Sequence, residues 1–290
     1  MAMGLAGPAT LPVQPLLHAV ATLELTRFTV HWSTVIGLAA LAGVYEWAAR
    51  RAPEGTRLSR RDRATFYGGL LVIFGSLNGW LHDMSDAYLF SAHMVQHLLL
   101  TLLAPPLLIA GTPGWMLRPA LRIGWVRATA TRVSRATWGF VIFNLTIAIW
   151  HLPMVYAQAM QYHAVHIIQH LCFMVAAVLM WWPLLSPLPE LPRLSFPLQM
   201  LYCFVMTIPM SIISVYIVYA DKLLYTAYGF APRLWGLSPM QDQLIGGLIM
   251  WIPGGLFFYV LLSIVFWKWQ AAGAEDTAEA AQVGYHPAPR

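Results

Sequence analysis

Two short stretches hold the residues best suited to chemistry, His93-Met94-Val95-Gln96-His97 and His166-Ile167-Ile168-Gln169-His170. Each stands at the head of a long apolar run, so each is expected to open a membrane helix. At roughly 100° per residue the Gln falls about 60° to one side of the first His and the second His about 40° to the other. All three side chains therefore share one face. The i, i+4 spacing lets both imidazoles of a pair reach one transition-metal ion. His163 adds a third imidazole to the second stretch, one turn before His166. The interval between the two copies, taken once more, leads to Asp242-Gln243, which reads as a weak third copy with a carboxylate and an amide in place of imidazoles.

Interhelical hydrogen bonding at the water interface is the plainer use of such residues. Ionisable groups inside membrane spans are costly, however, and tend to mark function. Duplication and clustering favour a metal or haem site, with His93, His97, His166 and His170 as ligands and Gln96, Gln169 and Asp242 as groups that orient them. His82 and His151 follow tryptophans, in Trp80-Leu81-His82 and Trp150-His151, and read equally as ligands or as interfacial anchors. His31 beside Trp32 reads as an anchor, and His163 is a further candidate ligand. Met84, Met94, Met154, Met160 and Met240 accompany the histidines, and thioether with imidazole suits Cu(I), although Met also fills gaps in apolar cores. Asp242 could equally cap a helix N-terminus. Cys172 lies on the face opposite His170, so it and Cys203 are assigned to helix packing.

These residues need a membrane scaffold. The 290-residue chain is 59% hydrophobic and only 10% charged, with mean hydropathy +0.61, far from a soluble domain. The pI near 9.4 does not point to nucleic acid, because most arginines sit in two loops between apolar spans. The expected fold is all-α, a polytopic bundle of seven transmembrane helices over about 29–49, 64–82, 92–113, 138–157, 163–185, 198–219 and 241–267. Residues 1–28 form an exterior arm, 29–268 the membrane domain, and 269–290, rich in Ala, Glu and Pro, a disordered tail.

The arginine loops at 50–63 and 114–137, with Arg193, Lys268 and Arg290, fall on one side of this arrangement and leave only Arg27, Lys222 and Arg233 on the other. The Arg-rich side is therefore cytoplasmic, the N-terminus outside and the C-terminus inside. Every histidine but His286 then maps to the exterior half. No Gly-x-Ser-x-Gly, His-Glu-x-x-His or phosphate-binding glycine loop occurs, so no catalytic motif argues for an enzyme.

Taken together, His93-Met-Val-Gln-His97-Leu with Ala104-Pro105-Pro106, Trp150-His151-Leu152-Pro153, His166-Ile-Ile-Gln-His170, and Asp242-Gln243-Leu-Ile-Gly-Gly-Leu-Ile-Met-Trp251-Ile-Pro253-Gly254 resemble the CtaG family of cytochrome c oxidase assembly factors. The branch meant is the seven-helix, caa(3)-type one, not the single-span copper chaperone of the same name. The resemblance runs from about His31 to Lys268 and implies a bacterial inner-membrane protein that matures a haem-copper oxidase, with oxidase subunits and the lipid bilayer as partners. It carries no ligand assignments, and Leu244 stands where the family pattern leads one to expect a second Gln. On this reading the protein binds copper on the exterior side and delivers it to an oxidase subunit. Two alternatives stay open: a haem-b electron carrier with one axial His from each helix, and an intramembrane zinc hydrolase with Asp242 or Asp83 as base.

Overall fold

A computed structural model describes residues 28–282, with side chains to residue 274. All but Phe28 of the N-terminal arm, together with His18 and His286, lies outside the described residues. The described chain is all-α, without strands. Helix α1 (Trp32–Arg50) leans on α2 (Arg60–Leu77), which starts with a capping box in which Ser59 Oγ accepts from Asp62 N at 2.9 Å and an Asp62 carboxylate oxygen from Ser59 N at 3.3 Å. Arg63 grips Glu46 of α1 through two bonds of 3.0 Å.

The second expected span is broken. Asn78 ends α2, and α3 (Gly79–Ala87) leaves at 42°. Gly79 has φ +66°, and a Cβ there would meet the Phe28 ring at 2.2 Å, so both backbone and space call for glycine. The break is stapled to the start of α1 by Gly79 N to Thr29 O at 2.8 Å and His31 N to Asn78 Oδ1 at 2.7 Å. It tips His82 and Asp86 inward, over the end of the bundle.

Helix α4 (Phe90–Leu98) carries the first histidine pair and runs through a π turn (Leu99–Leu103) into α5 (Ala104–Ala110). The prolines explain the irregular turn. Pro105 has no N–H to offer Thr101 O four residues back, and Trp181 Nε1 takes that carbonyl instead, at 2.9 Å. Two short helices, α6 (Gly114–Leu121) and α7 (Gly124–Val133), precede α8 (Ala136–Trp150), which bends 77° from α7. A break at His151-Leu152 then gives α9 (Pro153–Gln161), so the span expected at 138–157 is two helices, the second started by Pro153. Helix α10 (His163–Leu185) carries the second pair, and α11 (Phe196–Val218) packs along α12 (Pro239–Gln282). The linker between them holds a single 3₁₀ turn (Thr226–Tyr228). Helix α12 continues past residue 268 into the Ala- and Glu-rich stretch, whose composition favours helix strongly.

Four helical segments are long and apolar enough to cross a membrane: Phe90–Ala110, His163–Leu185, Phe196–Val218 and Pro239–Ala274. The bent pairs α2–α3 and α7–α8 raise the number to six if each is one span. Helix α1 is not among them, its second half carrying Tyr45, Glu46 and Trp47. The apolar core joins α4, α8, α10, α11 and α12 around Phe143, Phe173, Met180, Trp181, Met206 and Phe258. Helices α8 and α10 approach closely at Gly139, where a Cβ would lie 2.5 Å from Leu179 O. Backbone cannot give way as a side chain can, so Gly139→Val is expected to destabilise the bundle by about 1–3 kcal/mol, read as a lowered unfolding midpoint in detergent.

Candidate metal centre

The two histidine motifs meet in the interior at one end of the bundle. The His93 ring stacks on that of His166 at 5.3 Å between centroids and lies 6.0 Å from that of His170, and His97 lies 5.7 Å from His170. His93 is fully buried, and His97, His166 and His170 nearly so. One ring nitrogen each from His93, His97 and His170 lie within 4.8 Å of one another, and the same holds for Asp86, His93 and His166 when a carboxylate oxygen is taken from Asp86. Among the described residues, five buried histidines here, His93, His97, His151, His166 and His170, each leave Nε2 without a hydrogen-bond partner, and His97 leaves Nδ1 so as well. Burying so many bare polar atoms together is expensive unless something engages them.

Hydrogen bonds fix which nitrogen carries the lone pair in two cases. Tyr228 has one hydroxyl proton, and Ser85 O at 2.6 Å can only accept it. The Tyr228 oxygen must then accept from Tyr156 Oη at 2.9 Å and from His93 Nδ1 at 3.3 Å. His93 is thereby the Nδ1–H tautomer with a bare Nε2. His151 Nδ1 donates to Ile147 O at 2.7 Å, leaving its Nε2 bare likewise. Holding one imidazole nitrogen by a protein acceptor while the other stays free is the usual preparation of a metal-ligating histidine.

The glutamines differ in role. Gln96 donates through Nε2 to Ser76 O at 2.7 Å and to His82 Nδ1 at 3.0 Å, tying α4 to α2 and α3. His82, with Nδ1 so engaged, directs Nε2 to Asp86 Oδ2 at 3.4 Å, and it stands edge-on to His31. Gln169 is equally buried, yet neither of its amide atoms has a hydrogen-bond partner among the described residues. His163 is exposed at the start of α10 and stands apart from both groupings.

Asp242 is buried at the start of α12 and acts on another helix. Its carboxylate accepts from Phe90 N at 2.7 Å, Ser91 N at 3.0 Å and Ser91 Oγ at 2.5 Å, so it caps the helix that holds His93 and His97. Gln243 beside it accepts from Leu224 N at 2.7 Å and donates to Lys222 O at 3.3 Å, pinning the linker that lowers Tyr228 onto His93. Buried among apolar and aromatic groups, the Tyr228 phenol is pushed well above its ordinary pKa and stays protonated.

Met94 is buried in the core, Met160 Sδ lies 3.7 Å from Tyr228 Oη, Met84 packs near Tyr88 and Leu89, and Met154 is largely exposed. Met240 is exposed at the start of α12, and the methionines thus do not gather around the imidazoles as a set. Cys172 and Cys203 are free thiols. Asp86, Tyr156 and Tyr228 stand beside the imidazoles, and motif reading passed over them. Asp86 did leave a signal, since it stands i+4 from His82 on one helix. The tyrosines left none, because only the folded linker brings Tyr228 here.

No curated protein and no solved structure matches the chain. Residues 41–272 match the family model described as cytochrome c oxidase caa3 assembly factor (Caa3_CtaG).

Proposed function

Because the chain belongs to the caa3 cytochrome c oxidase assembly factor family, we propose that it matures its oxidase by holding copper as cargo between α4 and α10. The observation that carries this reading is the convergence of His93, His97 and His170, three buried residues whose ligand atoms lie within 4.8 Å of one another. Neutral imidazoles bind copper well, and a three-ligand set leaves room for an incoming ligand from an acceptor. The bare Nε2 atoms of His93 and His151 and the two free nitrogens of His97 fit such a cargo. Asp86 and His166 form an adjoining set towards which cargo can pass.

The partner is an oxidase subunit, and the setting a bacterial inner membrane. Counting α1, the bent pair α2–α3 and α8 with the four long segments gives seven spanning segments. The arginines of the 50–63 and 114–137 loops then face the cytoplasm and the histidine end faces outward. A cysteine placed at exposed Ala87 is expected to react with a membrane-impermeant thiol reagent in intact spheroplasts, while one at exposed Glu54 stays unmodified until the membrane is opened. The opposite pattern refutes the outward-facing site.

Metal analysis tests the copper reading directly. Detergent-purified protein incubated with Cu(I) and desalted is expected to retain about one copper per chain, without a Soret band and with zinc unable to displace it. A red protein as purified would favour the haem carrier, and stoichiometric zinc that survives Cu(I) challenge the hydrolase.

A further inference from the structure

A second feature adjoins the metal centre and is not explained by it. Helix α1 leans on α2 and leaves a gap towards α10, and this gap is a groove of about 590 Å³. Its walls are apolar for most of their length, with Leu38, Leu41, Ile73, Leu171, Val175 and Leu179 among them. On α10 it runs from His163 to Leu179, a rise of about 24 Å at 1.5 Å per residue. One end is polar, lined by His31, His82, His163, His166 and His170 together with Ser33 and Thr34. His31, His166 and His170 each have a buried Nε2 without a hydrogen-bond partner among the described residues. Among the described residues, no Lys, Arg, Asp or Glu lines the groove.

Volume decides what can lie there. A helix with its side chains is roughly 10–12 Å across, and 24 Å of one takes on the order of 2,000 Å³, more than a groove of this volume encloses. A single hydrocarbon chain, its carbons in contact at roughly 3.5–4.0 Å, fills on the order of 400 Å³ over that length. The remainder suits one ring-sized head. With imidazoles but, among the described residues, no Lys or Arg at the polar end, a phosphate or carboxylate head meets no fixed counter-charge there, whereas neutral carbonyl oxygens can accept from imidazole N–H groups.

We infer that the groove binds a membrane quinone, its ring at His31, His166 and His170 and its isoprenoid chain along α1 and α10. The ligand enters laterally from the bilayer, and any length of tail beyond the groove stays in lipid. Since His166 and His170 also face the metal groupings, the ring lies beside the proposed cargo, although quinone binding does not depend on copper being there.

Gly37 supplies the test. It lines the groove, and an added Cβ would meet nothing within 4 Å, so Gly37→Phe can fill the space without moving backbone. The full-length protein is purified in mild detergent, its bound lipids extracted and identified, and then, after delipidation, titrated with ubiquinone-2 in parallel with Cu(I). The wild type is expected to carry quinone as purified and to bind ubiquinone-2 saturably near one per chain. Gly37→Phe should weaken that binding at least tenfold with copper retention unchanged, and His31→Phe, which keeps a ring but removes the donor, should weaken it several-fold. Saturable binding that Gly37→Phe leaves intact overturns the inference. So does an acyl lipid recovered in place of quinone and lost in that variant. Copper retained without quinone binding sinks this inference alone, and quinone bound without copper sinks only the metal reading.

Discussion

Replacing His93 and His97 together by alanine is expected to lower copper affinity by at least about 100-fold and to reduce activity of the partner oxidase to near background at limiting copper, while the protein still inserts. Survival of the fold follows from the site. Imidazole nitrogens that are buried without partners oppose folding, so their removal returns desolvation energy that offsets the packing lost around Phe173 and Tyr156. The metal-free variant should therefore unfold within a few degrees of the metal-free wild type, and only the copper-induced rise in midpoint should vanish. Oxidase activity across a copper titration then separates two roles. Recovery with added copper supports delivery, a defect that copper does not relieve favours a scaffold for the oxidase subunit, and full activity at limiting copper refutes both roles for the pair.

The second large effect is expected away from the imidazoles. Asp242→Ala removes the acceptor of three buried hydrogen bonds and leaves Phe90 N, Ser91 N and Ser91 Oγ unsatisfied. Charged acceptors at a helix N-terminus are worth more than neutral ones, and stranding the donors adds their desolvation, so a loss of about 3 kcal/mol is expected. Asp242→Asn keeps an acceptor oxygen without the charge and should lose about half as much. Both variants leave every imidazole in place, yet both free the start of α4. Copper affinity should fall with stability in the order wild type, Asn, Ala. If thermal midpoints fall while copper affinity stays constant, Asp242 supports the bundle and not the aim of His93 and His97.

Much of this was legible in the residues. The i, i+4 spacing of His93/His97 and His166/His170 put each pair on one face, and the apolar runs behind them marked the helices that hold them. What periodicity could not see is where helices break and what reaches across. Asn78-Gly79 and His151-Leu152 lie inside apolar stretches, and only the φ of Gly79 and the proline at 153 turn them into corners. Asp242 was legible as a cap, but its helix lies beside the one it caps, a partnership no local pattern contains. The matching Gln96 and Gln169 read as equivalent, and the fold gives hydrogen-bond partners to the first alone.

The π turn at Leu99–Leu103 sets more than a local irregularity. A turn widened by one residue offsets everything before it by roughly 100° about the helix axis relative to everything after. Helix α4 is thus aimed at α12 and α10, while α5 is free to seat Leu108 against Gly69 of α2. Loss of one residue anywhere in 99–103 would remove the extra residue of the widened turn and shorten the segment by only about 1.5 Å. It would also swing both imidazoles of that helix through a quarter-turn, away from His170. In this segment residue number acts as an angular setting, so a single-residue insertion or deletion is a change of direction where the same event in a surface loop is a change of length.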